Sequence, residues 1–348
     1  MSVKSSTTGA SALALGLVAG AIALLAFKQH QRADHDVQVR LLNVSYDPTR
    51  ELYAQLNPVF VAQYKKETGE SVAIEQSHGG SSRQARLVAE GALAADVVTL
   101  ALPSDIDRLR ARKMVVEDWQ SLFPNHSQPN YSTIVFVVRT GNPKHIHDLV
   151  DLADRGIEVV TPSPVTSGNG KLSMLAAWGS VINRGGTEAQ ALNLVIRIYR
   201  NVSNPGERAR DSATTFELAK EGDVQLTWEN EAIREVAESR GELDIVYPPV
   251  SIRAEPSVAV VSTNVSKHHT EAAAEAYLHF LFSDDAQELL AERGYRPEND
   301  DILKRHQDLL PKIALFPVTT IARDWDNAQE KFFGDNGLFN TIHAGGTN

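Results

Sequence analysis

The residues of this sequence best suited to chemistry lie in four loops, at 43–48, 76–82, 161–170 and 210–216, which are rich in Ser, Thr, Asp, Asn and Gly. Each loop precedes a run with helical spacing, and the first three follow an apolar run. Helix N-termini expose backbone N–H groups and carry partial positive charge, so they suit an anion. Such residues also simply cap helices, so the prediction of an oxyanion site rests on all four loops together.

Side-chain caps are expected at two of these helix starts. Asp47 precedes Pro48, a good first helical residue, and its carboxylate is predicted to cap that helix. Ser81 or Ser82 is predicted to cap the next one. In the third loop, successive N–H groups are suited to form an anion nest.

Other chemistries are disfavoured. His78-Gly79-Gly80 resembles an esterase oxyanion loop, but no Gly-x-Ser-x-Gly motif supplies a nucleophile, and no phosphate-binding loop is present. The chain has no cysteine, which removes thiol chemistry, disulfides and thiolate metal sites. No nucleophile, base and orienting group share a motif, so the sequence predicts neither an enzyme nor a cofactor.

Two charged clusters are interpreted as solvent-exposed. His145 and His147 are predicted to be a solvated pair in a surface turn rather than metal ligands, and no metal site is expected. Glu229, Glu231 and Glu235 lie at near-helical spacing without a partner histidine, so they are predicted to form a solvated helix face.

Composition limits the partners. The chain has 348 residues, 34 Lys plus Arg, 44 Asp plus Glu and a net charge of -10, which argues against nucleic-acid binding. An acidic protein of this kind can still bind an anion through aimed N–H groups. A length of 348 residues predicts two lobes rather than one.

The N-terminus predicts export. Lys4 precedes an uncharged, largely apolar stretch at 9–27, and Lys28 then begins a polar run. This stretch is long for a signal core and just long enough to span a bilayer, so a cleaved signal and a retained anchor both stay open for residues 1–36.

The fold class predicted is α/β, because β-rich runs alternate with helical patterns. Helices are predicted at 271–282 and 323–333 and after Pro48, where Leu52, Leu56 and Phe60 share a face and Pro58 is expected to cause a kink or a restart. The predicted strands lie at 37–44, 72–74, 97–102, 133–138, 159–160, 224–226, 245–247 and 258–261.

Several motifs resemble the periplasmic sulfate-binding protein family: NVSYDPTREL at 43–52, QSHGGS at 76–81, GNPK at 141–144, LAAWG at 175–179, WENEA at 228–232 and YRP at 295–297. The resemblance covers nearly the whole chain after the export segment. It implies a type II periplasmic-binding-protein fold with two lobes, each a mainly parallel sheet flanked by helices, that closes over a dehydrated oxyanion. The implied lobes are 37–134, 135–257, and 258–348 returning to the first lobe with C-terminal helices.

The resemblance also implies the ligand donors and the partners. The ligand is implied to be sulfate, captured in the periplasm by a monomer that docks on the permease and ATPase subunits of an ABC importer. The implied donors are the indole N–H of Trp228, the hydroxyl of Ser167, and the backbone N–H groups of Asp47, Ser81, Gly168, Asn169 and Ala209.

Departures from the family pattern leave the ligand open. Thr166-Ser167-Gly168-Asn169 resembles the thiosulfate branch, where the sulfate branch commonly has Gly in place of Asn169, whereas Trp228 resembles the sulfate branch. Lys171 replaces a usual arginine. A receptor for thiosulfate or another tetrahedral oxyanion is therefore one alternative, and a membrane-tethered oxyanion sensor is another.

Overall fold

The computed structural model describes residues 38–203 and 205–344, so the predicted export segment lies outside the described residues. All eight predicted strands form, although the ends of most are shifted. In chain order, the described strands are β1 (Val39–Tyr46), β2 (Val72–Gly79), β3 (Val97–Leu100), β4 (Asn130–Tyr131), β5 (Ile134–Arg139), β6 (Val159–Val160), β7 (Val224–Trp228), β8 (Leu243–Val246), β9 (Val250–Ile252), β10 (Ser257–Val260), β11 (Arg296–Pro297) and β12 (Ala314–Phe316). Four of these strands were not predicted: β4, β9, β11 and β12.

Helices surround these strands, and single 3-10 turns lie at Asp47–Thr49, Trp119–Ser121, Asp151–Ala153 and Val318–Thr320, with a π turn at Thr214–Leu218. Over the same described ranges, the α-helices are α1 (Arg50–Thr68), α2 (Ser81–Ala89), α3 (Pro103–Arg110), α4 (Pro124–Ser127), α5 (Gly168–Asn183), α6 (Glu188–Arg200), α7 (Ala209–Ala213), α8 (Glu229–Glu238), α9 (Ser262–His268), α10 (Glu271–Phe280), α11 (Asp284–Glu292), α12 (Asp300–Arg305), α13 (Trp325–Phe333) and α14 (Leu338–Ala344).

The first sheet has the strand order β10-β3-β1-β2. β1 runs parallel to β2 and β3, and β10 is antiparallel to β3. Leu41 and Val44 of β1 are fully buried, as expected for a central strand covered by helices on both faces. Tyr46 and Gly79 are partners in the register of β1 and β2, so the loops at 43–48 and 76–82 emerge side by side.

The second sheet has the order β6-β7-β5-β8 and corrects one expectation. β6 and β7 are parallel, but β5 is antiparallel to both β7 and β8, so this sheet is not mainly parallel. β5 follows directly on the crossing at Ser132 and is not joined to β7 by a single crossover helix, so nothing forces the two strands to run in the same direction. The predicted α/β class with two sheets is confirmed.

Helix α1 shows how the sequence pattern becomes packing. Leu52, Leu56 and Phe60 are buried against the first sheet, as predicted. The helix continues from Arg50 to Thr68 through Pro58, so the chain does not restart there. Pro58 lies on the exposed face, where water can satisfy the backbone carbonyl that loses its donor.

The C-terminal helices pack on the side of the second sheet. The predicted helix at 323–333 is α13, and its Phe332 ring lies 5.1 Å from Trp178 of α5. Phe339 of α14 lies 5.7 Å from Tyr199 of α6. No helix within the described ranges is long and apolar enough to cross a bilayer.

Two chain segments pass between the sheets and meet each other. Ser132 and Ala254 form an isolated antiparallel bridge, with backbone N to O distances of 3.0 and 2.9 Å. This bridge lies just before β5 and just before β10, where each strand enters its sheet. Such paired crossings suit a hinge, because small backbone rotations there move two packed bodies.

Candidate anion-binding site

One small cavity collects the predicted site residues. It encloses about 200 Å³ of space not filled by atoms and lies where β1, β2 and β7 end. We call it the anion cavity, and all seven predicted site residues line it together with five others. Its lining residues are Tyr46, Asp47, Pro48, Gly79, Gly80, Ser81, Ala101, Ser167, Gly168, Asn169, Ala209 and Trp228.

Ala101 is the lining residue that lies in no predicted loop and was not among the seven predicted site residues. Its signal in the sequence is weak, since an alanine carries no polar group. It follows β3, whose carboxyl end lies beside that of β1, and this position relative to a parallel strand pair is what could have identified it.

The first sheet contributes the start of α2. Gly80 is the N-cap residue and has no side chain to cap the helix, so the first-turn N–H groups, including that of Ser81, remain open. The Ser81 hydroxyl donates to Asp105 Oδ2 at 2.6 Å and accepts from the Ala101 N–H at 2.9 Å. Ser82 donates to Asp105 Oδ1 at 2.8 Å. The predicted Ser81 or Ser82 cap is therefore wrong, because Asp105 binds both hydroxyls.

The second sheet contributes the start of α5. Ser167 is its N-cap residue, is 3% exposed, and makes no side-chain hydrogen bond to the helix or to any other described residue. The N–H of Lys171 donates to the Ser167 carbonyl at 3.2 Å. The N–H groups of Gly168 and Asn169, nearer the helix start, have no intrahelical acceptor. This end of α5 presents one hydroxyl and successive N–H groups to the cavity.

Asn169 uses its side chain within the protein. Its Nδ2 donates to the Leu226 carbonyl at 3.1 Å, and its Oδ1 accepts from Ser173 at 3.4 Å. Asn169 as a whole residue is 1% exposed. These bonds hold the Asn169 side chain against Leu226 and Ser173, while its backbone N–H lies in the open first turn of α5.

Ala209 and Trp228 complete the second side. Ala209 is the first residue of α7, and the preceding Arg208 N–H donates to Asp211 Oδ2 at 3.0 Å. Trp228 ends β7, is 1% exposed, and its ring lies 5.3 Å from Tyr46 across the cavity. The indole N–H of Trp228 donates to no described residue, so it is available to a ligand.

Asp47 does not cap a helix, which overturns that prediction. The N-cap position is held by Tyr46, and Asp47 is the first residue of the 3-10 turn. Both carboxylate oxygens of Asp47 are buried without a hydrogen-bond donor, and Oδ1 lies 3.6 Å from Arg50 Nη2. A proline at the next position starts a tighter 3-10 turn, which leaves the side chain without the capping geometry.

The predicted solvated face of α8 is also wrong. Glu229, Glu231 and Glu235 are 0%, 2% and 1% exposed. Glu229 forms a two-pronged ion pair with Arg296 at 2.6 Å, and Glu231 lies 3.5 Å from Arg234. Burial raises the pKa of all three carboxyls. Their partners come from distant or downstream positions that helical spacing alone does not reveal.

Ion pairs join the two sides of the cleft beside the cavity. Lys171 Nζ lies 3.6 Å from Asp105, and Arg83 lies 3.2 Å from Glu207. Arg210 binds Glu51 through both terminal nitrogens, one of them 2.8 Å from Glu51 Oε1. The ion pairs Arg210–Glu51 and Lys171–Asp105 were not predicted from the sequence.

Burial lowers the pKa of Lys171, and Asp105 opposes that shift. Lys171, Arg83 and Arg210 are each paired with a protein carboxylate, so the cations around the cavity are already neutralised.

Close backbone contacts join the two sides. A Cβ added to Gly80 would lie 2.5 Å from the Thr166 carbonyl oxygen, and one added to Gly168 would lie 2.5 Å from Ala101 Cβ. Such distances are below van der Waals contact, so only glycine permits this approach. The structure is therefore a closed form, in which the two sides of the cleft touch beside the cavity.

The histidine pair behaves as expected. His145 and His147 are both exposed, on a turn in which His145 has a positive φ of 53°. They lie far along the chain from the cavity-lining residues and do not contribute to it.

Comparisons with known proteins identify the family of this chain. Residues 42–296 match the family described as bacterial extracellular solute-binding protein. The sulfate-binding protein of Salmonella typhimurium is 45% identical over 306 residues, covering 87% of this chain and 93% of that protein. The thiosulfate-binding protein of Pseudomonas aeruginosa is 43% identical over 337 residues, covering 96% of this chain and 98% of that protein.

A solved structure shows the same fold. The sulfate-binding protein SubI from Mycobacterium tuberculosis H37Rv aligns with a TM-score of 0.77 and 30% identity, covering 85% of this chain and all of SubI. The family consists of binding proteins rather than enzymes, in agreement with the non-enzymatic prediction. The chain therefore belongs to the bacterial extracellular solute-binding proteins, within the group that contains the sulfate- and thiosulfate-binding proteins.

Proposed function

We propose that this protein captures sulfate in the periplasm. The observation that carries the proposal is the convergence of open helix N-termini on a closed cavity whose neighbouring cations are already paired. The proposed donors are the indole of Trp228, the hydroxyl of Ser167, and the backbone N–H groups of Asp47, Ser81, Gly168, Asn169 and Ala209.

Such a site suits a permanently ionised ligand. Backbone and hydroxyl donors do not titrate near neutral pH, and helix N-termini add favourable dipoles without adding net charge. Removing a dianion from water is costly unless several hydrogen bonds replace its hydration. The seven donors above replace that hydration in a cavity from which the side chains of Ser81 and Asn169 are withdrawn.

Closure is part of the proposal. The first lobe comprises residues 37–134 and the segment that returns from 258 as far as α12, and the second lobe comprises 135–257 together with α13 and α14, which pack on its side. In the open form the donors of Asp47 and Ser81 separate from those of Ser167, Ala209 and Trp228. Ligand binding then favours the closed form, which docks as a monomer on the permease and ATPase subunits of an ABC importer.

Thiosulfate is the second candidate, because Asn169 resembles the thiosulfate branch. The relative named for thiosulfate is nearly as similar as the one named for sulfate, so overall identity does not separate them. Asn169 resembles the thiosulfate branch, but its amide is bound to Leu226 and Ser173. Because that amide is already engaged by the protein whereas the Trp228 indole N–H has no partner among the described residues, Trp228 is the stronger indicator and favours sulfate.

Calorimetric titration of residues 36–348 with sulfate, thiosulfate, phosphate and molybdate tests the proposal. Sulfate is expected to bind most tightly. Hydrogen phosphate carries a proton that a donor-lined site does not accept, so it is expected to bind far more weakly. The buried Asp47 carboxylate is the nearby acceptor that could change this result. Phosphate affinity within tenfold of sulfate at pH 7 would contradict the proposal, and tighter thiosulfate binding would select the second candidate.

A further inference from the structure

A second contact between the two lobes lies outside the anion cavity, where α13 packs against α3. α13 belongs to the second lobe, because its Phe332 packs on Trp178 and its Gln329 accepts a hydrogen bond from Lys171 Nζ at 2.8 Å. α3 belongs to the first lobe, since it follows β3 directly and packs on the first sheet. Opening of the cleft should therefore change the distance between these two helices.

One guanidinium group holds carboxylates from both lobes at this contact. Arg110 Nε lies 2.8 Å from Asp107 Oδ1 on its own helix, and its Nη2 lies 3.2 Å from Asp326 Oδ2 on α13. Its Nη1 also donates to Glu117 Oε2 at 3.1 Å. We call these four residues the closure cluster. Its carboxylates outnumber its single cation, so carboxylates of opposite lobes repel each other when the cleft is closed.

Other charged groups near Asp326 leave this repulsion in place. The remaining charged or titratable side chains that line the gap between α3 and α13 are Glu255, Asp324, Arg323 and His126. Both acids already accept a hydrogen bond from the first turn of α13 and add further negative charge. The two basic side chains are exposed at the rim, where water and salt screen their charges.

The surroundings of Asp326 make it easier to protonate. Burial and the neighbouring Asp107 carboxyl raise the pKa of Asp326 to about 6, although Arg110 opposes that shift. The Asp107 carboxyl lies on the other lobe, so its effect depends on the closed cleft. When the cleft opens, the pKa of Asp326 should return toward that of an exposed aspartate. The closed form therefore takes up a proton more readily than the open form does.

We propose that the closure cluster is an acid-sensitive latch, in which protonation of Asp326 removes a repulsion between the lobes, favours the closed form and tightens the binding of the anion. Asp107 and Asp326 then set the affinity for the ligand without touching it. The gain is fully present below the pKa of Asp326 in the open form, and it is lost as the pH rises through its pKa in the closed form. Affinity should therefore rise as the pH falls from 7 to 5. The identity of the ligand, but not the latch, rests on the proposed function.

The test is a calorimetric titration with sulfate at pH 7 and at pH 5, at low ionic strength. Sulfate stays a dianion over this range, so its own charge does not change. We expect about threefold tighter binding at pH 5, a modest effect because the Asp326 side chain is 57% exposed and its charge interactions are screened.

Two variants of the closure cluster should change this response in opposite directions. Asp326→Asn mimics the protonated side chain, so it should bind sulfate at pH 7 as tightly as the original protein does at pH 5 and should no longer respond to pH. Arg110→Gln removes the cation between the carboxylates. It should weaken binding at pH 7 by about two- to threefold and enlarge the response to pH.

Two controls separate the latch from other causes of a pH dependence. Asp335→Asn, at an exposed position just after α13 and outside the cluster, should keep the threefold response. His126 lines the same gap, and imidazole side chains also titrate in this range. His126→Gln should nevertheless respond to pH as the original protein does.

Equal pH responses of the original protein and Asp326→Asn overturn the proposal, as does loss of the response in His126→Gln. Tighter binding at pH 7 than at pH 5 in the original protein overturns it as well. If sulfate does not bind at pH 7, the proposed function fails, and the same series with thiosulfate, also a dianion over this range, tests the latch.

Discussion

Two serines at the cavity show how a residue type acquires its role from its neighbours. The Ser81 hydroxyl is held by Asp105 and the Ala101 N–H, so that serine can offer only its backbone. The Ser167 hydroxyl bonds neither to the helix that it begins nor to another residue of the described ranges. A buried hydroxyl without a partner is costly, and a bound anion would remove that cost. Ser167 is therefore the serine expected to matter through its side chain.

Ser167→Ala should weaken sulfate binding by about 1.5 to 3 kcal/mol, roughly 10- to 150-fold in Kd, because it removes a hydrogen bond to a charged ligand. The thermal midpoint of the free protein should change little, since this side chain does not cap α5. Ser180→Ala on the same helix is the matched control, because that hydroxyl donates to the Ala177 carbonyl and does not line the cavity. Equal affinity losses in the two variants would remove Ser167 from the site.

Trp228→Phe should lower sulfate affinity while the fold persists. The phenyl ring keeps an aromatic contact with Tyr46, whereas the indole donor is lost. Trp178→Phe provides the comparison, since its indole nitrogen is buried without a partner and its ring lies against Phe332, outside the cavity. Trp178→Phe should alter the thermal midpoint and leave sulfate affinity unchanged. An unaltered affinity in Trp228→Phe would identify Trp228 as core packing.

The sequence could identify the site loops but not every side-chain partner within them. The loops are recognisable because helix starts follow local rules, and all seven predicted residues line one cavity. Asp47 and Ser81 were predicted as caps by those same local rules. Asp105 overrides the rule for Ser81 from 24 positions away. Partners at such separations depend on tertiary packing, which spacing does not encode.

At the scale of elements, the two helices α2 and α5 begin at the cavity, and both lack a side-chain cap. Gly80 begins α2 without one, and Ser167 leaves the first turn of α5 open. An uncapped helix start usually lowers stability by about 1 kcal/mol. Two such starts facing one cavity suggest that a ligand, rather than a side chain, satisfies these N–H groups.

Gly80→Ala should reduce sulfate affinity by blocking closure. The φ of Gly80 is -57°, which alanine tolerates, so the open protein should fold normally. The new Cβ would lie 2.5 Å from the Thr166 carbonyl oxygen, a contact that is made only across the closed cleft. The expected result is a large loss of affinity in calorimetry with a small change in the thermal midpoint of the free protein.

A useful contrast to Gly80 is Gly170→Ala. Its Cβ would lie 2.4 Å from the Pro162 carbonyl oxygen, within one side of the cleft. That clash exists whether the cleft is open or closed, so this variant should lose stability first. If Gly80→Ala destabilised the free protein as Gly170→Ala does, the closure explanation would not hold.

The positions of the strands were easier to predict than the directions in which they run within each sheet. All eight predicted strands form because alternation of β-rich and helical runs is a local signal. The direction of β5 depends on its neighbours β7 and β8, which lie far away in sequence. The missed strands β4 and β11 have two residues each and lack the β-branched pair that marked the equally short β6.

At the scale of the whole molecule, the cleft is closed by charges that cancel each other. Arg210 reaches Glu51 across the cleft and also lies 3.4 Å from Glu231 on its own side. Lys171 reaches Asp105 in the same way. These pairs join the two sides without leaving a net positive charge for the ligand, so an acidic protein can hold a dianion through dipoles.

His78 links this charge pattern to pH. The pKa of His78 is lowered to about 4. Burial is the largest cause, and Arg50 and Arg210 together lower the pKa by more than Glu51 raises it. Its Nδ1 lies 2.7 Å from Ser45 Oγ. The unfolded chain takes up a proton near pH 6.5, whereas the folded chain does so only near pH 4. The free energy of unfolding should therefore be highest above pH 6.5 and fall as the pH drops from 6.5 to 4.

Denaturant titrations between pH 7 and pH 4.5 measure this slope. Carboxylates also contribute in acid, so the informative quantity is the difference between the original protein and His78→Gln. The variant should lose less stability across that range, because its side chain cannot bind a proton in the unfolded state. His147→Gln, at an exposed position, should follow the original protein. Parallel curves for the original protein and His78→Gln would mean that the folded protein protonates His78 as readily as the unfolded chain does, and that the arginines around the cleft do not repel the proton.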